Sequence, residues 1–223
     1  MPSQATRVSL WGLVNAYLVP EDDGLTLIDT TLAQGAKPIL AAADRLGAPI
    51  RRIVLTHAHG DHIGGLDKLK ERLPEAEVLI SARDARLLAG DKTPEPGEPQ
   101  NKLRGDYKGA KTKPTGVLVE GEHVGSLLVI ASPGHTPGHV SLLDERDQTV
   151  FCGDVFTTLG GVATSAKGKA LFPFAAMATW DRQVELDSAG KLRGLNPASL
   201  APGHGQIVES PLAAMDAAIA RGA

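Results

Sequence analysis

Positions 57–62 read His-Ala-His-Gly-Asp-His, directly after the apolar run RRIVLT at 51–56. Three of the chain's seven histidines and an aspartate therefore crowd into six positions. RRIVLT has the make-up of a short buried strand. Imidazoles and a carboxylate at the end of such a strand must be matched by hydrogen bonds or by a cation. Any fold this chain adopts has to deliver those partners to the end of that strand.

The same pattern recurs further along. LLVIASPG runs into His135, TVFCG into Asp154 and SLAPG into His204. Four apolar strands thus each hand over a His or Asp at the carboxyl end, beside Gly or Pro. If those ends share one edge, rigid strands fix the side chains and the glycines let the backbone crowd close. His57, His59, Asp61, His62, His135, Asp154 and His204 form a set of seven potential ligands. Imidazole and carboxylate are ligands of Zn²⁺ and similar divalent ions. Seven are too many for one tetrahedral ion and suit two ions roughly 3.5–4 Å apart that share a carboxylate. His57 and His59, two apart, face one side of an extended segment. Gly60 permits a sharp turn, and Asp61 and His62 then start a helix and face a second ion. A hydroxide held between two ions is a nucleophile near neutral pH. The expected chemistry is metal-assisted hydrolysis, with Asp154 and Asp61 as the catalytic carboxylates and Asp61 as a proton acceptor. Ligand histidines must be neutral, so activity is expected to fall below about pH 6.

Elsewhere the chain reads as one mixed domain spanning 1–223. VSLWGLVNAYLV is rich in β-formers and ends at Pro20, EDDG is a turn, and LTLIDT pairs back as a hairpin. Helical spacing covers Ala33 to Leu46 and stops at Gly47; a second helical pattern runs from Ile63 to Leu73. Ser81 caps a helix through Leu88, with Asp84 placed as in a capping box. Residues 90–116 form a long Pro- and Gly-rich loop, the kind that is usually functional or mobile. A dense strand region follows, then an irregular stretch at 157–178, a helix from about Asp181 to Leu192, and a final helix opened by Ser210 and Pro211. The order ββαβαβα, ββββ, αβα implies mixed sheets with helices outside.

Composition narrows the partners. A net charge of −3 with scattered basic residues gives no nucleic-acid footprint. No apolar run approaches the ~18 residues of a membrane helix, and the N-terminus lacks the pattern of a signal peptide. One cysteine, Cys152, excludes an internal disulfide. A cytoplasmic protein acting on a small molecule, away from membranes, is expected. Cys152 reads as a small core residue, His123 as an exposed turn residue, and His139 as a structural neighbour of the ligands.

THAHGDHIGG at 56–65, PGHTPGH at 133–139, GD at 153–154 and PGHG at 202–205 together resemble the metallo-β-lactamase superfamily; NAYLV and LTLIDT resemble its opening strands. The resemblance covers nearly the whole chain. It implies an α+β, four-layer αββα sandwich of two mixed β-sheets flanked by helices. It also implies that His57, His59 and His135 hold one metal, that Asp61, His62 and His204 hold the other, and that Asp154 bridges them. Asp29 would orient the histidine loop from behind. The metals implied are two Zn²⁺, alternatively Fe or Mn.

Within the superfamily, lactones, thioesters, β-lactams and phosphoesters all fit the scheme, and fold does not choose among them. Glyoxalase II enzymes carry a helical glutathione-binding domain, for which the nineteen residues after His204 leave no room. Secreted β-lactamases carry export signals. Flavodiiron oxidoreductases have glutamate where this chain has His59, and nuclease members add domains or basic surfaces. Lactone-hydrolysing members match in size and motif order, though Tyr107 does not correspond to their tyrosine. Two alternatives remain: a mononuclear iron persulfide dioxygenase and a non-catalytic metal-binding module. Substrate contacts are expected from the two irregular stretches, with Tyr107, Lys167, Lys169, Phe172 and Phe174 as candidates and Trp180 in the same apolar cluster.

Overall fold

The computed structural model describes residues 5–223. They form two compact units. The first holds the described residues up to Asp91 together with Asp106–Leu118. The second holds Lys92–Gly105 and Val119–Ala223.

The first unit contains β1 (Thr6–Leu10), β2 (Val14–Glu21), β3 (Gly24–Ile28), α1 (Ala36–Leu46), β4 (Ile50–Val54), α2 (Gly60–Ile63), α3 (Leu66–Arg72), β5 (Glu77–Ser81), α4 (Ala82–Leu88) and β6 (Gly116–Leu118). Its sheet has the order β1-β2-β3-β4-β5-β6. The first three strands are antiparallel, and β3 through β6 run parallel. The β-rich opening is two strands where one was expected. Trp11 and Gly12 both take positive φ and reverse the chain between β1 and β2. β2 then runs through Pro20 to Glu21 and pairs with β3 as the expected hairpin. α1 buries Ala36, Ile39, Ala42 and Ala43, one helical face. Gly47 ends it in the left-handed conformation, with its N–H on Ala43 and Asp44 carbonyls.

The expected helix from Ile63 to Leu73 is broken into α2 and α3 at Gly64 and Gly65. The cause is proximity. A Cβ on Gly64 would lie 2.8 Å from Ala33 N and Leu32 Cα, and one on Gly65 would lie 2.5 Å from Thr30 O. Two bare backbones let the 30–33 segment pass against this turn.

The second unit contains β7 (His123–Val124), β8 (Leu127–Ala131), β9 (Val140–Asp144), β10 (Thr149–Gly153), β11 (Phe156–Thr157), β12 (Ala163–Thr164), α5 (Phe174–Ala178), α6 (Arg182–Gly194), β13 (Ser199–Pro202), β14 (Val208–Glu209) and α7 (Leu212–Gly222). The sheet order is β14-β13-β10-β9-β8-β7, parallel only between β10 and β13. β9 and β10 are buried at every position, as strands covered on both faces are. Val150, Cys152, Phe156, Leu192, Leu200 and Met215 belong to one core cluster of this unit. Cys152 is fully buried in it, and burial pushes its thiol far up from its ordinary value. α6 is capped by Asp181, whose carboxylate accepts the Gln183 and Val184 N–H groups. The last helix starts one residue later than expected. Ser210 sits at φ 49 and does not cap; Pro211 takes the cap position without a side-chain bond.

Each unit therefore has a mixed sheet with a parallel pair inside it: β3 beside β4, and β10 beside β13. Ligands in mixed α/β sheets bind outside the carboxyl ends of parallel strands. Among the described residues no helix is long and apolar enough to cross a membrane.

Candidate metal centre

In the first unit, β4 ends at Val54 and the next five residues deliver His57 and His59, the latter in extended conformation, before α2 begins at Gly60. His57, His59 and His62 are buried, while Asp61 is partly exposed. Potential ligand atoms of His57 and His59, of His57 and His62, and of Asp61 and His62 lie within 4.8 Å of each other. The His57 ring stands edge-on to His59 at 4.8 Å and tilted to His62 at 4.1 Å. Gly60 is not a sharp turn of special conformation. It is the point of a close approach: its N–H donates to Asp106 O at 2.8 Å, and a Cβ there would lie 2.7 Å from Asp106 Oδ2.

This loop is held from behind by two buried carboxylates. Asp29 follows β3 at φ 58, a left-handed conformation uncommon outside glycine. One of its oxygens accepts the Thr56 N–H at 2.8 Å. The other accepts the Thr56 hydroxyl at 2.8 Å and lies 2.8 Å from His62 Nδ1. Thr56 Oγ1 in turn lies 3.0 Å from His57 Nδ1. The adjacent Thr30 donates its N–H and hydroxyl to the His62 carbonyl. Asp84 is the second carboxylate. Its N–H is capped by Ser81 as expected, but its own side chain does not complete a capping box. It accepts the Ala58 N–H at 2.8 Å, between the two histidines.

Tyr107 packs its ring 4.6 Å from His59 and is buried. Burial, with the Asp84 charge adding to it and Arg83 opposing, holds its phenol well above its ordinary value. The hydroxyl is therefore a neutral donor at physiological pH.

In the second unit, β10 delivers Asp154 and β13 delivers His204 at neighbouring carboxyl ends. His135 lies in the connection from β8 to β9. His204 Nε2 and His135 Nε2 lie 3.2 and 3.4 Å from the same atom, Asp154 Oδ2. All three residues are buried. His135 Nδ1 lies 3.1 Å from Thr179 Oγ1. His139 spans from Ser132 Oγ to the Asp154 N–H, which donates to its Nε2 at 3.1 Å. Glu185, on α6, is fully buried. Burial raises its carboxyl well above the usual range, the His135 N–H opposes, and the Asp154 charge adds to the rise. Gly134 makes room for that helix: a Cβ there would lie 2.3 Å from Glu185 N and Cα.

These donors fit divalent ions by an internal criterion. His57, His62 and His135 each have Nδ1 against a hydroxyl or carboxylate, which fixes the ring and turns Nε2 outward. That backing is characteristic of metal-ligating histidines. One carboxylate oxygen facing two imidazole Nε2 atoms is likewise the geometry of a shared ligand.

Of the substrate candidates, Phe172 lies 4.9 Å from the His204 ring and 5.6 Å from Phe174. Lys169 donates to Gly160 O, and Lys167 is exposed. Trp180 is buried and donates its indole N–H to Asn101 O. His123 is exposed and pairs with Glu145 at 2.8 Å. Asp84, Thr56, Thr179 and Glu185 were not singled out as site residues from the sequence. Asp84 carried a signal, a capping-box position that its side chain does not use; Thr179 and Glu185, far along the chain from His135, carried none.

The sequence model of the Metallo-beta-lactamase superfamily matches residues 10–204, a span that includes all seven donors. YobT of Bacillus subtilis (strain 168) is 47% identical over 207 residues, covering 92% of this chain and 89% of its own. Other relatives carry hydrolase names. A hydroxyacylglutathione hydrolase of Rhodospirillum rubrum is 33% identical over 139 residues, 60% of this chain and 43% of its own. Among solved structures, TTHA1623 in a di-iron-bound form aligns with a TM-score of 0.67 at 30% identity, covering 93% of this chain and 96% of that one.

Proposed function

Because the chain belongs to the metallo-β-lactamase superfamily, whose model runs through both donor sets, we propose that the seven donors hold two divalent ions. His57, His59 and His135 would hold one, and Asp61, His62 and His204 the other. Asp154 would be shared. Bound there, such ions acidify a water and polarise a carbonyl. The protein is then a hydrolase of an ester-like bond in a small molecule, with thioesters and lactones the leading classes. The observation that carries this reading is the backed donor set itself, in which Asp29, Thr56 and Thr179 fix three imidazoles from their far sides.

The chain's own residues have defined tasks. Asp29 and Asp84 keep the His57–His62 loop in one conformation, so that the ligands need no reordering on binding. His139 holds the Asp154 main chain. The Tyr107 hydroxyl is a neutral donor beside His59 for a carbonyl oxygen. Phe172 and Phe174 form an apolar wall beside His204 for an acyl group. The thioester class is favoured by the relative named as a hydroxyacylglutathione hydrolase, whose similarity is confined to part of its length. Zinc and iron are both suited to this donor set, and the di-iron-bound relative keeps iron in view.

Metal-replete protein should be assayed on a thioester and a lactone side by side, with a β-lactam as third arm. Turnover of one class that disappears in the His57→Ala, His59→Ala double variant is the expected result. No turnover of any class, or turnover untouched by the double substitution, would defeat the proposal. Oxygen consumption with a persulfide in place of hydrolysis would replace it with the dioxygenase reading.

A further inference from the structure

Asp154 enters the donor set of the second unit from an irregular point in the chain. The register of β10 on β13 shifts between Phe151 and Gly153, and Gly153 takes φ 50. The next N–H, that of buried Asp154, leaves the strand ladder and donates to a side chain, His139 Nε2, at 3.1 Å. At the other end of the same residue the Ser165 hydroxyl donates to the Asp154 carbonyl. Held at both ends of its main chain, Asp154 presents Oδ2 to His204 Nε2 and His135 Nε2, at 3.2 and 3.4 Å. A buried N–H that lost its acceptor would cost far more than the bond itself is worth, so the acceptor on His139 has a strong hold on where this residue sits.

A ring nitrogen that accepts a hydrogen bond carries no proton, so His139 is neutral with its proton on Nδ1. Nδ1–H donates to Ser132 Oγ at 2.9 Å, and the Ser132 proton is left for Ser141 Oγ at 2.8 Å. The Ser132 N–H closes the loop on the His139 carbonyl at 3.0 Å. His135 has the same tautomer for a different reason. The Thr179 hydroxyl has its proton toward the Ser165 and Ala175 carbonyls, at 2.8 and 2.9 Å. Its oxygen therefore accepts from His135 Nδ1–H at 3.1 Å. The two rings differ in what Nε2 meets: a carboxylate oxygen on His135, an amide proton on His139. Among the described residues, His139 is in none of the groups of side chains that could share an ion. We infer that His139 is a positioning residue for the shared carboxylate. Its lone pair, fixed on Nε2 by the bond to Ser132, holds the Asp154 main chain so that the carboxylate stays between His135 and His204. The word shared rests on the two-ion hydrolase reading; the tautomer and the clamp do not.

Nitrogen NMR of zinc-loaded wild-type protein labelled with ¹⁵N-histidine reads the ring directly and needs no variant. The His139 signal, identified by its through-space contact to the Asp154 N–H, should show a proton on Nδ1 and none on Nε2. A proton on Nε2 overturns the inference. Two variants then test the use of that lone pair. His139→Phe keeps a ring and removes the acceptor, whereas His139→Gln offers an amide oxygen near the Nε2 position. In the Phe variant, zinc affinity read by competition with a chelating dye should fall about tenfold, and kcat should fall by about as much with KM little changed. The Gln variant should recover most of both losses. Equal losses in the two variants, or none in the Phe variant, overturn the assignment. The predicted tautomer and the predicted split in zinc affinity, found in a protein whose wild type hydrolyses nothing, would sink the hydrolase reading alone.

Discussion

The two donor sets are built on the same plan and held by different chemistry. In each unit a parallel strand pair carries donors past its carboxyl end, β3 with β4 in one and β10 with β13 in the other. The first set is local in sequence, four residues in six positions, and is braced by two buried carboxylates that accept main-chain N–H groups. The second is spread over seventy positions and is braced by hydroxyls, an imidazole and a buried helix: Thr179, His139 and the Glu185 turn of α6. A short loop with crowded histidines has no strand ladder to hold it, so it needs strong charge-assisted hydrogen bonds. Donors at separate strand ends inherit their rigidity from the sheet, and weaker contacts suffice.

The largest test of that comparison asks whether the sets are one machine. Asp154→Ala should lower kcat/KM by on the order of 10⁴, and adding His57→Ala should cost little more, because groups acting as a unit are not additive. Multiplying losses would show two independent sites. Next come the braces. Asp29→Ala should weaken metal affinity by about 10–100-fold, read by competition with a chelating dye. It should also lower stability by about 1–3 kcal/mol, since Thr56 and His62 lose their acceptor. Thr179→Val should do less on both counts; an equal or larger effect would reverse the ranking of carboxylate over hydroxyl.

Glycine substitutions probe the packing behind each set. Gly134→Ala combines φ +135 with overlap on α6, and melting should report a loss of about 2 kcal/mol or more. Gly64→Ala, at 2.8 Å from Ala33 N and without positive φ, should cost less. The smallest effect concerns the segment that carries Tyr107. Asp67 accepts the Lys111 and Thr112 N–H groups and the Thr112 hydroxyl. Burial raises its carboxyl, but these bonds outweigh that and hold it below the usual carboxylate value. A lowered folded value stabilises above the unfolded one and is lost as pH falls. The Asp67→Asn variant should therefore be less stable than wild type by about 1 kcal/mol near pH 6. The gap should close as pH drops past about 3.9 and through the lower folded value. A gap independent of pH would remove the charge from the explanation.

What could be read from the chain follows the same division. The strand runs ending in His57, His135, Asp154 and His204 were legible because burial demands apolar runs and the donors interrupt them abruptly. Mixed sheets with helices followed from the order of those runs. The break between α2 and α3 was not legible, because Gly64 and Gly65 answer to the 30–33 segment, a contact remote in sequence. The single β-rich opening hid a reversal at Trp11, where a bulky residue takes positive φ. Asp84 looked like a cap because Ser81 does cap its N–H; only the folded chain shows its carboxylate turned to Ala58. Glu185 sits on a helix whose partner, Gly134, lies fifty-one positions away, and no local pattern marks it.

Metal content measured on purified wild-type protein and on Asp154→Ala, beside hydrolytic turnover of each, bears most directly on the convergence of the two sets. About two ions per chain in wild type, with at least one ion and nearly all turnover lost in the variant, is the predicted result. Two ions and full turnover retained without the Asp154 carboxylate would contradict it.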